Sequence, residues 1–383
     1  LQGKDLNLRP FGYENFSRAG MNPILLDRNE NRYGPAPECL AVLREAGPEL
    51  LFNYTRDFQK GYYSDLSRKL AEIHGVSEKR VVLGYGCEDL LKQAIHHWLR
   101  PGDRCLIPSA SWWYYRSIAD EVGGVTLSYP IVEEPTEYVY DVESLLRIQR
   151  ETPARVLLIS SPNNPTGNRF PASRLPEMLA GFRDAIVVYD EAYWGFSHGG
   201  SEDLARMTDA YPNLLVLRTF SKLYALAGAR IGYGIAGTAL ASFLKFSARN
   251  LGYNRISERL ALAALSNPGY YERIRDSMVA DRRTILETLR GFPGVRAYSS
   301  DANFVLVRFL PSAVAQVKAE LDRRGLIVKF FTEPDFVNCA RITLGTPQED
   351  AILVAALREI LPRAAGVSAA RSSWTDSGSR SAG

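Results

Sequence analysis

The sequence predicts an α/β protein with two domains: a large one on a mainly parallel seven-stranded sheet, then a smaller α+β domain. Short apolar runs recur at 80–83, 105–108, 125–129, 156–160, 185–189, 214–217 and 231–236. Most are apolar throughout rather than alternating, the pattern of strands covered on both faces. Helical patterns separate several of them, the rhythm of a parallel sheet. A chain of 383 residues also exceeds one ordinary core, so a second domain is expected.

Residues 1–50 read as an N-terminal arm with part of the small domain. Arg9-Pro-Phe-Gly and Asn29-Glu-Asn-Arg-Tyr-Gly-Pro35 are rich in turn formers, which suits an extended segment lying on another surface. A helix opening after Pro37 and an amphipathic helix over 64–74 follow, separated by an aromatic loop over 53–63. The large domain spans 51–255. The small domain, 256–362, opens with a helix broken near Asn267-Pro-Gly. It continues as strand (303–309), helix (313–323), strand (327–331), strand (340–343) and a closing helix (348–361). Residues 363–383 are low in complexity and are expected to be disordered.

Composition narrows the functional classes. A net charge of +3 with no long basic block argues against nucleic acid or an anionic membrane as partner. No run of eighteen apolar residues suggests a membrane span, and the first residues show no apolar signal region. Four scattered cysteines without a C-x-x-C pair, and four histidines without metal spacing, point to a reducing cytoplasm and no structural metal. Small molecules are the expected partners.

In a parallel sheet, ligands sit beyond the carboxyl ends of the strands. After the run at 214–217 comes Arg218-Thr-Phe-Ser-Lys222 and, eight residues on, Arg230. One amine, one guanidinium and the hydroxyls of Thr219 and Ser221 suit an aldehyde cofactor bearing a phosphate, pyridoxal 5'-phosphate (PLP). After 81–83, Gly84-Tyr-Gly86-Cys87-Glu88 reads either as a glycine turn offering backbone amides to a phosphate or as an ordinary helix start. Trp112-Trp-Tyr-Tyr115 supplies rings that stack on a heteroaromatic or simply fill core. Asn164, in Ser160-Ser-Pro-Asn-Asn-Pro-Thr-Gly167, can donate to a phenolate oxygen, although most such turns only turn. Asp190, at the tip of a buried run, needs a partner, which a protonated pyridine nitrogen would supply; helix capping is the rival reading. Tyr193 can reach the same ring.

The order of these sites along the chain is what resembles the fold-type I, class I/II aminotransferases, with an aspartate aminotransferase-like fold. Within them the chain looks most like the histidinol-phosphate aminotransferase branch. The resemblance rests on Asn29-Glu-Asn-Arg-Tyr-Gly-Pro35, Gly84-x-Gly-Cys-Glu-Asp-Leu90, Ser161-Pro-Asn-Asn-Pro-Thr-Gly167, Asp190-Glu-Ala-Tyr193, Thr219-x-Ser-Lys222 with Leu226-Ala-Gly-x-Arg230, and Arg341-Ile-Thr-Leu-Gly-Thr346. It implies a covalent link between Lys222 and PLP, with Lys222 then shuttling a proton. It implies Asp190 at the ring nitrogen, Asn164 and Tyr193 at the ring oxygen, and Trp112 stacked on the ring. Gly86, Cys87, Glu88, Thr219, Ser221 and Arg230 would surround the phosphate. Arg341 would bind the substrate carboxylate, with Lys329, Tyr33 and Phe11 near the substrate. It also implies a homodimer with shared sites, in which Tyr54, or Phe58 in a rival alignment, reaches the neighbouring phosphate.

Three positions depart from that branch. Lys329 stands where an arginine is common, Phe11 where a tyrosine is usual, and Ala110 where a proline often precedes the stacking ring. With several aromatics nearby, the pocket is expected to favour an amino acid or specialised amino donor over histidinol phosphate. The expected reaction moves an amino group from such a donor to a 2-oxo acid such as 2-oxoglutarate. The same constellation also serves a PLP-dependent decarboxylase, lyase or cyclase. A non-catalytic PLP-binding sensor would carry a fused helix-turn-helix, which residues 1–35 do not suggest.

Overall fold

The computed structural model describes residues 22–366, except 62, 199–203 and 250, and only the backbone at 58, 365 and 366. The strands are β1 (Ile24–Leu26), β2 (Val81–Gly84), β3 (Arg104–Pro108), β4 (Val125–Tyr129), β5 (Ile131–Glu133), β6 (Tyr138–Tyr140) and β7 (Val156–Ser160). Then come β8 (Ile186–Asp190), β9 (Leu214–Thr219), β10 (Gly232–Ala236), β11 (Val295–Ala297), β12 (Phe304–Phe309), β13 (Leu326–Phe330) and β14 (Cys339–Thr343).

Seven of them form one sheet in the order β2-β10-β9-β8-β7-β3-β4. The pairs from β4 to β9 are parallel, and β10 runs antiparallel to both neighbours. The connection explains the exception: between β9 and β10 lies only one short 3-10 turn (Ala227–Ala229), and a parallel return needs a longer crossover. Every residue of β7, β9 and β10 is buried, as the unbroken apolar runs require.

The second sheet has the order β1-β13-β14-β12-β11. β1, from the arm, pairs in parallel with β13, so the segment after it is fixed against the small sheet. The sequence did not mark β1, β11 or the β5–β6 hairpin; each is three residues long, too short for a periodic signal. Caps set the helix limits. Ser64 accepts from the Ser67 amide and Gly75 takes the left-handed conformation (φ 65°) around the Asp65–His74 helix. Asn267 caps Pro268–Arg290 and thereby splits it from Arg255–Leu265. The closing helix, Pro347–Gly366, runs past the expected residue 361. Among the described residues no helix is long and apolar enough to cross a membrane.

Candidate active site

The candidate cleft lies past the carboxyl ends of β7, β8 and β9, where Asn164, Tyr193 and Lys222 meet Arg341 of β14 and the arm residues Asn29 and Arg28. At its far edge Gly86 (φ 86°) starts the Cys87–Trp98 helix without any side-chain cap. The first amides of that helix thus have no side-chain acceptor. A Cβ on Gly86 would stand 2.5 Å from Arg230 Nη2, and one on Gly232 would stand 2.4 Å from the Cys87 nitrogen. Only bare backbone lets the turn and the arginine close up this far. Arg230, itself left-handed (φ 51°), donates to Ser221 Oγ at 3.4 Å and Tyr85 O at 3.3 Å. Thr219 Oγ1 lies 3.0 Å from Ser221 Oγ. Uncapped amides, two hydroxyls and a guanidinium therefore converge, a cradle for a phosphate dianion. Glu88 is the exception: its carboxylate sits 3.6 Å from Arg230, where it would compete with a phosphate rather than bind one. The Cys87 thiol is pushed well up, first by burial and then by Asp190, while Lys222 and Arg230 oppose the shift. One thiol thus senses three of the residues singled out in the sequence.

Asp190 ends β8 and is buried. Its Oδ2 accepts from Tyr115 Oη at 2.9 Å and its Oδ1 from the Ala192 amide at 2.9 Å. Burial pushes its carboxyl up to about 6, and those two hydrogen bonds hold it from rising further. No cation pairs with it among the described residues. A buried acid of this kind calls for a cationic partner.

Lys222 is half-buried; its Nζ donates to Arg28 O at 3.1 Å and lies 5.6 Å from the centre of the Tyr193 ring. Asn29 Nδ2 donates to Tyr193 Oη at 2.8 Å. From the small sheet, Arg341 donates through Nη1 to Asn164 Oδ1 at 2.6 Å and through Nη2 to Asp27 O at 2.6 Å. The large-sheet turn and the small-sheet arginine, 177 residues apart in sequence, thus share one wall.

Other expected residues are placed less directly. Trp112 is half-buried and meets Tyr115 edge-on at 5.7 Å. Lys329 stands opposite Arg341 in the β13–β14 register, with Nζ 5.4 Å from the Phe331 ring. Tyr33 donates its hydroxyl to Ser277 Oγ at 2.7 Å, on the Pro268–Arg290 helix. The arm turns after Asn31, whose Nδ2 donates to Leu223 O. Tyr54 is exposed. Phe11 and the Phe58 side chain lie outside the described residues.

Two residues here had no assigned role in the sequence reading. Tyr115 was visible only as the last ring of an aromatic run, and its contact with Asp190 spans 75 positions. Asn29 opens the Asn-Glu-Asn-Arg stretch; it is buried with φ 55°, a conformation asparagine tolerates better than most residues. That conjunction of asparagines was the available signal.

A seven-stranded, mainly parallel sheet with a lysine turn at its strand ends, faced by a smaller mixed sheet, defines an α/β transferase of the aspartate aminotransferase-like fold. A family model described as "Aminotransferase class I and II" matches residues 22–357, and the chain belongs to that family. It is an enzyme, an aminotransferase. The chain is 33% identical to "Histidinol-phosphate aminotransferase 2" of Pseudomonas fluorescens, over 89% of this chain and 90% of that one. It is 32% identical to "Histidinol-phosphate aminotransferase 2" of Archaeoglobus fulgidus, over 88% and 93%. The crystal structure of histidinol-phosphate aminotransferase from Sinorhizobium meliloti in complex with pyridoxal-5'-phosphate superposes with a TM-score of 0.79, at 25% identity, covering 91% of this chain and 94% of that one.

Proposed function

We propose that this enzyme holds PLP in the cleft and moves an amino group from a carboxylate- or phosphate-bearing donor to a 2-oxo acid. The buried, cation-free Asp190 carries the reading, because it stands on the strand next to the one whose turn bears Lys222. Its partner would be the protonated ring nitrogen, and the Gly86–Cys87 turn with Ser221, Thr219 and Arg230 would take the phosphate. Bound there, the cofactor supplies an electron sink for charge developing on the substrate carbon. Lys222 is the covalent anchor and the base that moves a proton at that carbon. Asn164 and Tyr193 bind the ring oxygen, and Trp112 covers the ring. Arg341 grips the substrate carboxylate with a bidentate fork.

Lys329 beside Arg341 adds a second positive group, but a lysine lacks the fork that holds a phosphate rigidly. That supports an amino acid over histidinol phosphate as the donor. A homodimer is supported by the exposed apolar side chains of Leu51, Phe52, Tyr54, Tyr63 and Leu251, and partner copies cover such surfaces. They belong to two neighbouring segments, the Glu49–Phe52 helix with the loop after it and the turn at Leu251: a Cβ on Gly252 would stand 1.9 Å from Thr55 Cγ2.

The test is a donor panel with 2-oxoglutarate, using protein reconstituted with PLP and following both the keto product and carbon dioxide. Amino acids should give the higher kcat/KM. Histidinol phosphate ahead by orders of magnitude would end the donor preference. Carbon dioxide without a keto product would replace transfer by decarboxylation.

A further inference from the structure

Behind Asp190 the sheet contains an ion pair that the proposed chemistry does not touch. Glu191 follows Asp190, and Arg218 precedes Thr219. Side chains alternate along a strand, so Glu191 points to the face opposite Asp190. There Arg218 Nε meets Glu191 Oε2 at 2.7 Å, with the two side chains 2% and 4% exposed. The guanidinium is held on other sides as well. Its Nη1 lies 3.4 Å from His74 Nδ1, and its carbon sits 4.3 Å above the Trp194 ring. His74 Nε2 continues to Tyr233 Oη at 3.1 Å. The chain of contacts crosses β8, β9, the Asp65–His74 helix and β10.

A buried ion pair is a poor way to gain stability. Desolvation offsets most of its attraction, and apolar residues of equal volume do as well or better. What it does supply is direction, through a planar fork and a fixed length. Here that direction falls between the two segments that carry the site. One bears Asp190 and Tyr193, and the other bears Thr219, Ser221 and Lys222. Past the last β8–β9 pair, Asp190 with Leu217, the backbone adds a hydrogen bond from Glu191 N to Leu217 O at 2.9 Å.

We infer that Glu191 and Arg218 are positioning residues: a buried strut that sets the distance and angle between Asp190 and the Lys222 turn. The inference rests on the proposed cofactor roles of Asp190 and Lys222. It assigns the pair a duty beyond folding, because a strut of altered length would leave the fold and shift the ring relative to its acid. Misplacements of about 1 Å at such sites cost on the order of a hundredfold in rate.

Three variants test it in the full chain: Glu191→Asp, which keeps the charge and shortens the strut; Glu191→Gln; and the neutral pair Glu191→Gln with Arg218→Gln. For each, three properties are measured: the thermal midpoint without cofactor, the borohydride-trapped mass at Lys222, and the pH midpoint of the bound cofactor's visible absorbance. Steady-state kcat and KM complete the set. Glu191→Asp should fold and trap cofactor at Lys222, while the absorbance midpoint moves by about one pH unit and kcat falls at least about tenfold with KM little changed. Trapping with parental midpoint and kcat in the variants that fold would overturn the inference. So would a fall in activity that follows thermal stability and vanishes in the neutral pair. If the parent protein traps no cofactor at Lys222, the cofactor reading itself fails; a trapped parent with unmoved variants fails only the strut.

Discussion

On the large-sheet side of the cleft three central groups stand at or just past a strand end. Asp190 closes β8, Thr219 closes β9, and Lys222 lies three residues further on. On the small-sheet side, Arg341 and Lys329 lie inside β14 and β13, opposite one another in register. The first arrangement follows from local sequence: a buried apolar run, then turn formers, then a reactive side chain. The second depends on how two strands align and on an arm strand that arrives from about 300 residues away, Ile24 pairing with Leu326. In the proposed reading the large sheet would carry the part of the site that does the chemistry. The small sheet would carry the part that selects what is brought to it, and perturbing each side should then give different kinetic signatures.

The largest effect is expected at Lys222. Lys222→Ala should abolish borohydride-stable cofactor attachment and lower turnover at least about a thousandfold, the scale of general acid–base assistance plus the lost covalent link. A variant that still gives the parental trapped mass would remove the anchor from this side of the cleft. Next comes Asp190→Asn. It should lower kcat by about a hundredfold or more while weakening cofactor retention far less, because the ring would lose its charged partner but keep the phosphate cradle. Stopped-flow turnover set beside a cofactor-retention assay reads both, and near-parental rates would strip Asp190 of its role. On the other sheet, Arg341→Lys keeps the charge and loses the fork. It should raise KM for carboxylate substrates by about tenfold to a hundredfold, with kcat changed much less. If kcat falls and KM holds, the division of labour between the sheets is wrong.

The same contrast governs how much could be read in advance. The seven central strands and the order of the site motifs were legible because burial on both faces leaves unbroken apolar runs, and because Lys222, Asp190 and Asn164 each follow such a run closely. The three-residue strands β1, β5, β6 and β11 left no period to detect. Nor did the sequence show where Tyr33 points, since that follows from the tether of Asn31 to Leu223 and the docking of the arm on Ser277. Side-chain pairings across the sheet, such as Glu191 with Arg218 or Tyr115 with Asp190, are set by register and packing. The residues themselves were in view; their partners were not.

The smallest effect expected is at Tyr115, and it bears on why the acid-bearing side needs support. Its hydroxyl favours the charged form of Asp190, opposing a burial that has already lifted the carboxyl from an ordinary 3.8 to about 6. For an acid raised on folding, the native state binds the proton more tightly than the unfolded chain does. The linked stability is therefore greatest below about pH 4 and is lost as pH rises through about 6. The shift corresponds to about 3 kcal/mol in the cofactor-free protein. Removing the hydrogen bond in Tyr115→Phe should raise the carboxyl further and carry the loss to higher pH, by about half a unit to one unit. Asp190→Asn should erase this contribution. Thermal midpoints of the three cofactor-free proteins between pH 4 and pH 8, taken as differences from the Asp190→Asn curve, isolate the term from other raised acids such as Asp350, held up near 7 by burial. A Tyr115→Phe curve that overlays the parent would mean the phenol does not set the acid's proton affinity, and that burial alone makes this side of the cleft differ from the other.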